Sequence, residues 1–170
     1  MILGSARLGA LALALGLALG LGVVATTSVD AQTATSKSKE AKSDKQKAKV
    51  HRVAIQVNEN RPESMNLALN NAKNVVDYFK SQGETAIVEI VAYGPGLHMY
   101  RDDTSPVKQR VAQMSLEEPG ITFAACANTQ ANMSKAEQKP ITLISEAKVV
   151  PSGVVRLMEL QGKGYAYIRP

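Results

Sequence analysis

Cysteine is nearly absent from this chain: Cys126 is the single one among 170 residues, and histidine is limited to His51 and His98. A lone thiol cannot close a bridge within its own chain, which excludes a disulfide-stapled scaffold. His51 stands far along the chain from the other two, so no His/Cys cluster has the spacing of a metal site and no metal is expected. Also missing are a G-x-G-x-x-G dinucleotide loop, a Walker phosphate loop and a G-x-S-x-G nucleophile elbow. With them go the usual signs of those cofactor-binding and hydrolase classes, and no cofactor is expected.

Charge is scarce at the start of the chain. Arg7 is the only charged residue before Asp30, and Leu8 to Val24 is an unbroken run of Leu, Ala, Gly and Val. Small polar residues and Val29-Asp30-Ala31 follow, which suits an A-x-A-like cleavage site, so residues 1–31 read as a secretory signal peptide. The apolar run is longer than a usual signal core, which leaves an uncleaved anchor as the alternative. Gly9, Gly16, Gly20 and Gly22 weaken the helix an anchor needs. Lacking a cysteine, the leader is not that of a lipoprotein. A periplasmic or secreted protein is expected, one that meets a membrane only if the leader stays.

The net charge of +5 is unevenly placed. Residues 32–50 carry six lysines against Glu40 and Asp44, a net of +4, with no large apolar residue before Val50. Such a segment cannot bury enough surface to fold alone and reads as a disordered linker, either a solvated spacer or a polybasic stretch resting on anionic lipid. From His51 onward thirteen Lys/Arg face twelve Asp/Glu, so the domain itself is almost neutral. It has no basic patch interleaved with aromatics, and no nucleic-acid partner is expected.

Residues 51–170 read as one α/β domain of alternating strands and helices. Val53-Ala54-Ile55-Gln56-Val57 is a buried first strand. Pro62 opens a helix whose apolar positions Met65, Ala68, Leu69, Ala72, Val76 and Phe79 recur at three- and four-residue spacing up to Gly83. Ala86 to Ala92 is a second strand, and Tyr93 to Tyr100 a Gly-Pro-Gly loop. Ser105 is expected to cap a second helix with the stripe Val107, Val111 and Met114. Pro119-Gly120 turns the chain into a third strand, Ile121 to Ala125, ending at Cys126. Asn128 or Thr129 is expected to cap a short third helix, Lys148 to Val150 to form a fourth strand, and Ser152 to cap a helix through Leu160, closed by Gly162. Tyr165 to Ile168 is the last strand. Met65, Met114 and Met158 read as core, and Arg156 with Glu159 as an i, i+3 pair on a solvated face.

Repeated β-α-β units imply a mostly parallel sheet with helices on both faces, and ligands bind such sheets at the loops leaving the C-terminal strand ends. That edge gathers Asn58, Gly94, Gly96, His98, Cys126, Asn128, Thr129, Ser152 and Gly153. Cys126, at a strand end just before a helix start, is placed where free N–H groups and the helix dipole favour a thiolate. The alternative is a small buried hydrophobe at the end of Phe123-Ala124-Ala125. His98 is the candidate base or imidazolium beside it, provided that strands two and three are neighbours. The Gly94-Pro95-Gly96 loop and the Ser152-Gly153 helix start could present backbone donors to an anion.

With these residues in view, the domain resembles the DsrE/DsrF-like family of sulfur-relay proteins, in its exported single-domain branch. The stretches that carry the resemblance are Val91 to His98, Phe123 to Thr129, Val150 to Leu160 and Tyr167 to Pro170, within a similarity spanning His51 to Pro170. It implies a three-layer α/β/α fold with a five-stranded, mainly parallel sheet, and homo-oligomers such as trimers or hexamers. It also implies a persulfide carried on a cysteine after the third strand, the position of Cys126, with a sulfur donor or acceptor protein or a small sulfur compound as partner. Ala127 stands where many members have glycine. A carrier role is therefore expected, with a non-enzymatic oligomeric small-ligand binding protein as the alternative. No acid, base and nucleophile set can be assembled for a turnover enzyme.

Overall fold

The computed structural model describes residues 49–170, so the expected signal peptide and nearly all of the expected linker lie outside the described residues. Strands β1 (Val50–Val57), β2 (Thr85–Ala92), β3 (Ile121–Cys126), β4 (Ala147–Val150) and β5 (Ala166–Ile168) form one sheet in the order β4-β3-β2-β1-β5. Every pairing in it is parallel. The helices are α1 (Pro62–Ser81), α2 (Lys108–Glu117), α3 (Ala127–Glu137) and α4 (Gly153–Gly162), and Gly94–Tyr100 winds as a 3₁₀ segment.

Layering follows from the strand order. The chain steps from β1 to β4 in one direction, so right-handed crossovers lay α1, α2 and α3 on one face. The return from β4 to β5 carries α4 over the other. Side-chain alternation divides the core accordingly. Val53, Ile55 and Val57 of β1 join Met65, Leu69 and Ala72 of α1 and Val111 and Met114 of α2, with Met133 of α3 packed against them. Ala54, Val91 and Ala124 point the opposite way, onto Leu157 and Leu160 of α4. The arrangement is the three-layer α/β/α expected, with the sheet wholly rather than mainly parallel. Among the described residues no helix is long and apolar enough to cross a membrane.

Several local expectations are corrected. Helix α2 starts at Lys108, because the Ser105 hydroxyl donates to the Met99 carbonyl at 2.5 Å and accepts the Val107 N–H at 3.3 Å, closing a turn rather than capping the helix. Helix α3 is capped by Cys126 itself, two or three residues earlier than expected, and runs on to Glu137. The first strand begins at Val50 and takes in His51, which pairs with Glu84 and stacks on Phe79 with ring centroids 3.4 Å apart. β5 begins at Ala166 rather than Tyr165. Met65 and Met114 are core, but Met158 is 67% exposed, because the buried stripe of α4 runs through Gly153, Leu157 and Leu160.

Candidate functional site

The site is built where β3 and β4 end side by side, with Cys126 and Val150 in register. β3 passes directly into α3 and β4 into α4 after Pro151 and Ser152, and the two helix starts adjoin: the Asn128 N–H donates to the Pro151 carbonyl at 3.3 Å. Cys126 has extended backbone at the N-cap of α3, and its sulfur accepts the Thr129 N–H at 3.4 Å. Gly153, first residue of α4, brings its N–H near enough to the same sulfur to lower the thiol pKa. Gly153 is fixed from behind by Tyr93, whose Cβ would lie 2.7 Å from any Cβ added there. Only glycine lets α4 start this close to the end of β2.

Burial raises the thiol pKa, Cys126 being 5% exposed, but the hydrogen bonds outweigh it. The Thr129 hydroxyl and the N–H groups of Gly153, Thr129 and Asn128 together bring it below its ordinary value. Thr129 serves twice. Its oxygen accepts the Gly94 N–H at 2.9 Å and its hydroxyl helps to lower the thiol pKa, which ties the 3₁₀ segment to the thiol.

Beside this centre, between the 3₁₀ segment and α3, lies an open cleft of about 420 Å³ walled by Asn60, Pro95, His98, Asn132 and Met133, with Gly94 and Thr129 on its lining. His98 bonds Thr104 through Nδ1 at 3.1 Å. Burial and then the Arg101 charge lower its pKa, only partly opposed by Glu137 and Asp103, so the ring is neutral at pH 7. β2 and β3 are indeed neighbours, yet the hydrogen-bond partners of the Cys126 thiol come from α3 and α4, not from His98.

Of the residues expected at this edge, Asn128, Thr129 and Gly153 surround the sulfur, and Gly94, His98 and Thr129 line the cleft. Gly96 packs beneath, where a Cβ would strike the Val57 carbonyl and come within 2.8 Å of Asn58 Cα. Ser152 occupies the N-cap of α4 without a side-chain bond, its carbonyl accepting the Arg156 N–H at 2.9 Å. Asn58 lies apart, in a small recess with Ser64 and Arg169. Asn132 and Met133 carry no motif, and the fold alone brings them here. Among the described residues no group of three or more His, Cys, Asp or Glu is placed to hold a metal.

Arg101, at the end of the 3₁₀ segment, ties that segment to α3. It is 1% exposed and forks onto Asp103 at 2.8 and 2.9 Å and onto Glu137 of α3, while Lys139 bridges both acids. Arg156 is likewise not the solvated residue expected. It reaches from α4 to the buried Glu89 of β2 at 2.6 and 2.7 Å, and only its third nitrogen meets Glu159, at 3.3 Å. An acid in the middle of the apolar run of β2 was the sequence signal for this pair.

No family model matches the chain, and no curated protein matches it. Among solved structures it is similar to MTH1491, a protein of unknown function from Methanobacterium thermoautotrophicum, with a TM-score of 0.59 and 30% identity over 71% of this chain and 99% of that one. By that identity over nearly the full length of the archaeal protein, the chain belongs to the same family as MTH1491, an α/β family whose activity that structure leaves unnamed.

Proposed function

We propose that Cys126 is a sulfur-carrying thiolate and that the chain is an exported persulfide carrier of the DsrE-like kind. The observation that supports this most is the place of the sulfur: at the N-cap of α3 it accepts the Thr129 N–H at 3.4 Å, beside the adjoining start of α4. A thiol held in this way gives up its proton more readily than a free one and needs no histidine partner to do so. In the loading step the sulfur of Cys126 attacks the outer sulfur of a sulfane donor such as thiosulfate or a polysulfide. A new S–S bond forms, the donor's own bond to that sulfur breaks, and sulfite or the shortened polysulfide leaves with the electron pair. Attack by an acceptor thiolate on the same outer sulfur returns Cys126 as the leaving thiolate, to the donors that held it before. No external oxidant is required.

Export and self-association belong to the same proposal. Val154, Val155 and Met158 are exposed on the outer side of α4, next to the site, and a second copy of the chain is the partner proposed to cover them. Intact mass spectrometry of the purified protein before and after a sulfane-sulfur donor tests the carrier role. A gain of one sulfur atom, reversed by reductant and absent in Cys126→Ala, is the expected result. The burial of Cys126 favours a second reading, a non-enzymatic small-ligand binding protein using the cleft beside His98. That reading expects no gain of sulfur and a thiol that reacts only after unfolding.

A further inference from the structure

On the sheet face under α4 lies a carboxylate that the carrier chemistry does not use. Glu89 is 8% exposed in the middle of β2, flanked in register by Ala54 and Thr122, and both of its oxygens are taken by Arg156. Burying such a pair requires desolvating both charges, and apolar side chains of similar volume stabilise a fold as well or better. The pair is better explained by what it positions. Arg156 lies one turn into α4, its own N–H closes the first hydrogen bond of that helix on Ser152, and the neighbouring Leu157 packs on the sheet. The bidentate fork therefore fixes the rotation and height of the very turn whose first residue, Gly153, faces Cys126.

We infer that Glu89 and Arg156 are positioning residues for the thiol, holding the start of α4 over Cys126 so that the Gly153 N–H stays directed at the sulfur. This rests on the reading of Cys126 as a working thiolate, and it adds a control element on β2, the strand next to the one that ends at Cys126. Apolar packing through Leu157 and Leu160 tolerates small rotations of a helix, whereas two parallel charge-assisted hydrogen bonds do not. Neither residue touches the sulfur or a substrate.

The test is the thiol pKa, read from the pH dependence of alkylation on the full mature chain. The variants are Glu89→Gln, Arg156→Lys and the paired Glu89→Leu with Arg156→Met, with Val76→Ala on the opposite face as a control of general destabilisation. The paired variant removes both charges at once and is expected to fold, with its thiol pKa raised by about half a unit to one unit, so that the thiolate share at neutral pH falls about three- to tenfold. Arg156→Lys keeps the charge, loses the fork and is expected to fall between; it carries the test if the paired variant does not fold. Val76→Ala is expected to leave the value unchanged. An unchanged thiol pKa in folded Arg156→Lys and Glu89→Gln, or an equal shift in Val76→Ala, overturns the inference. Sulfur loading of the unaltered protein is measured in parallel. A protein that takes up no sulfur, yet whose thiol pKa moves in these variants, keeps the positioning role and sinks the carrier.

Discussion

At Cys126 two opposing effects meet, and their balance decides what the residue can do. Burial alone would keep the thiol protonated and inert. The donors of α3 and α4 reverse that, and Thr129 is the one among them that acts through both its side chain and its backbone. Thr129→Val retains the shape and the N–H but deletes the hydroxyl, and the thiol pKa is expected to rise by about half a unit or more, read as slower alkylation at pH 7. Linkage gives a second readout. Because the folded thiol pKa lies below the unfolded one, the stability it contributes is full above the unfolded value and is lost as pH falls through the folded value. Cys126→Ala removes that part of the pH dependence. The sequence made Cys126 visible as a lone thiol at a strand end, but it suggested Asn128 or Thr129 as the cap. Cysteine is not among the usual capping residues, and only the register of β3 with β4 shows that a second helix start shares the sulfur.

Among the elements, α4 and the 3₁₀ segment matter most to the site, and both are held by close backbone approach and buried charge. Gly96→Ala drives a methyl group into the Val57 carbonyl and is expected to cost about 1–3 kcal/mol in chemical denaturation, distorting the cleft wall that contains His98. Leu160→Ala, emptying a buried position of α4, is expected to cost about 2–5 kcal/mol. The Arg101 cluster makes the junction of the 3₁₀ segment with α3 sensitive to acid. Hydrogen bonds from Arg101 come first in holding the Asp103 and Glu137 carboxyls below their usual range, with Lys139 adding to them. Their contribution is complete above the unfolded carboxylate values and is lost as pH falls through the lower folded ones. Thermal melts should show the stability of Arg101→Met falling less steeply with acidification than that of the unaltered protein. Apolar runs made the strands legible in advance and the three- and four-residue spacing made α1 and α2, whereas the 3₁₀ turns of Gly94–Tyr100 were read as a loop. The polar fastenings were not legible, since Arg101–Glu137 and Glu89–Arg156 join residues far apart in the chain, and a helical period alone placed Arg156 on the solvent side.

For the whole molecule, the sheet order explains why the chemistry sits at this corner. Three crossovers in one direction and one long return bring α3 and α4 to opposite faces, with their starts adjoining where β3 and β4 end. A lone thiol at that junction is served by both helices. The exposed side chains of α4 next to it lead to an expected sedimentation behaviour above that of a monomer at micromolar concentrations, and Met158→Asp is expected to shift it toward the monomer. The most direct measurement is alkylation of the native thiol across pH, with the unfolded protein as reference. Native Cys126 is expected to react, with a midpoint below that of the unfolded chain. A native thiol that resists alkylation until the protein is unfolded, or one whose midpoint matches or exceeds the unfolded value, would contradict the reading of Cys126 as a working thiolate.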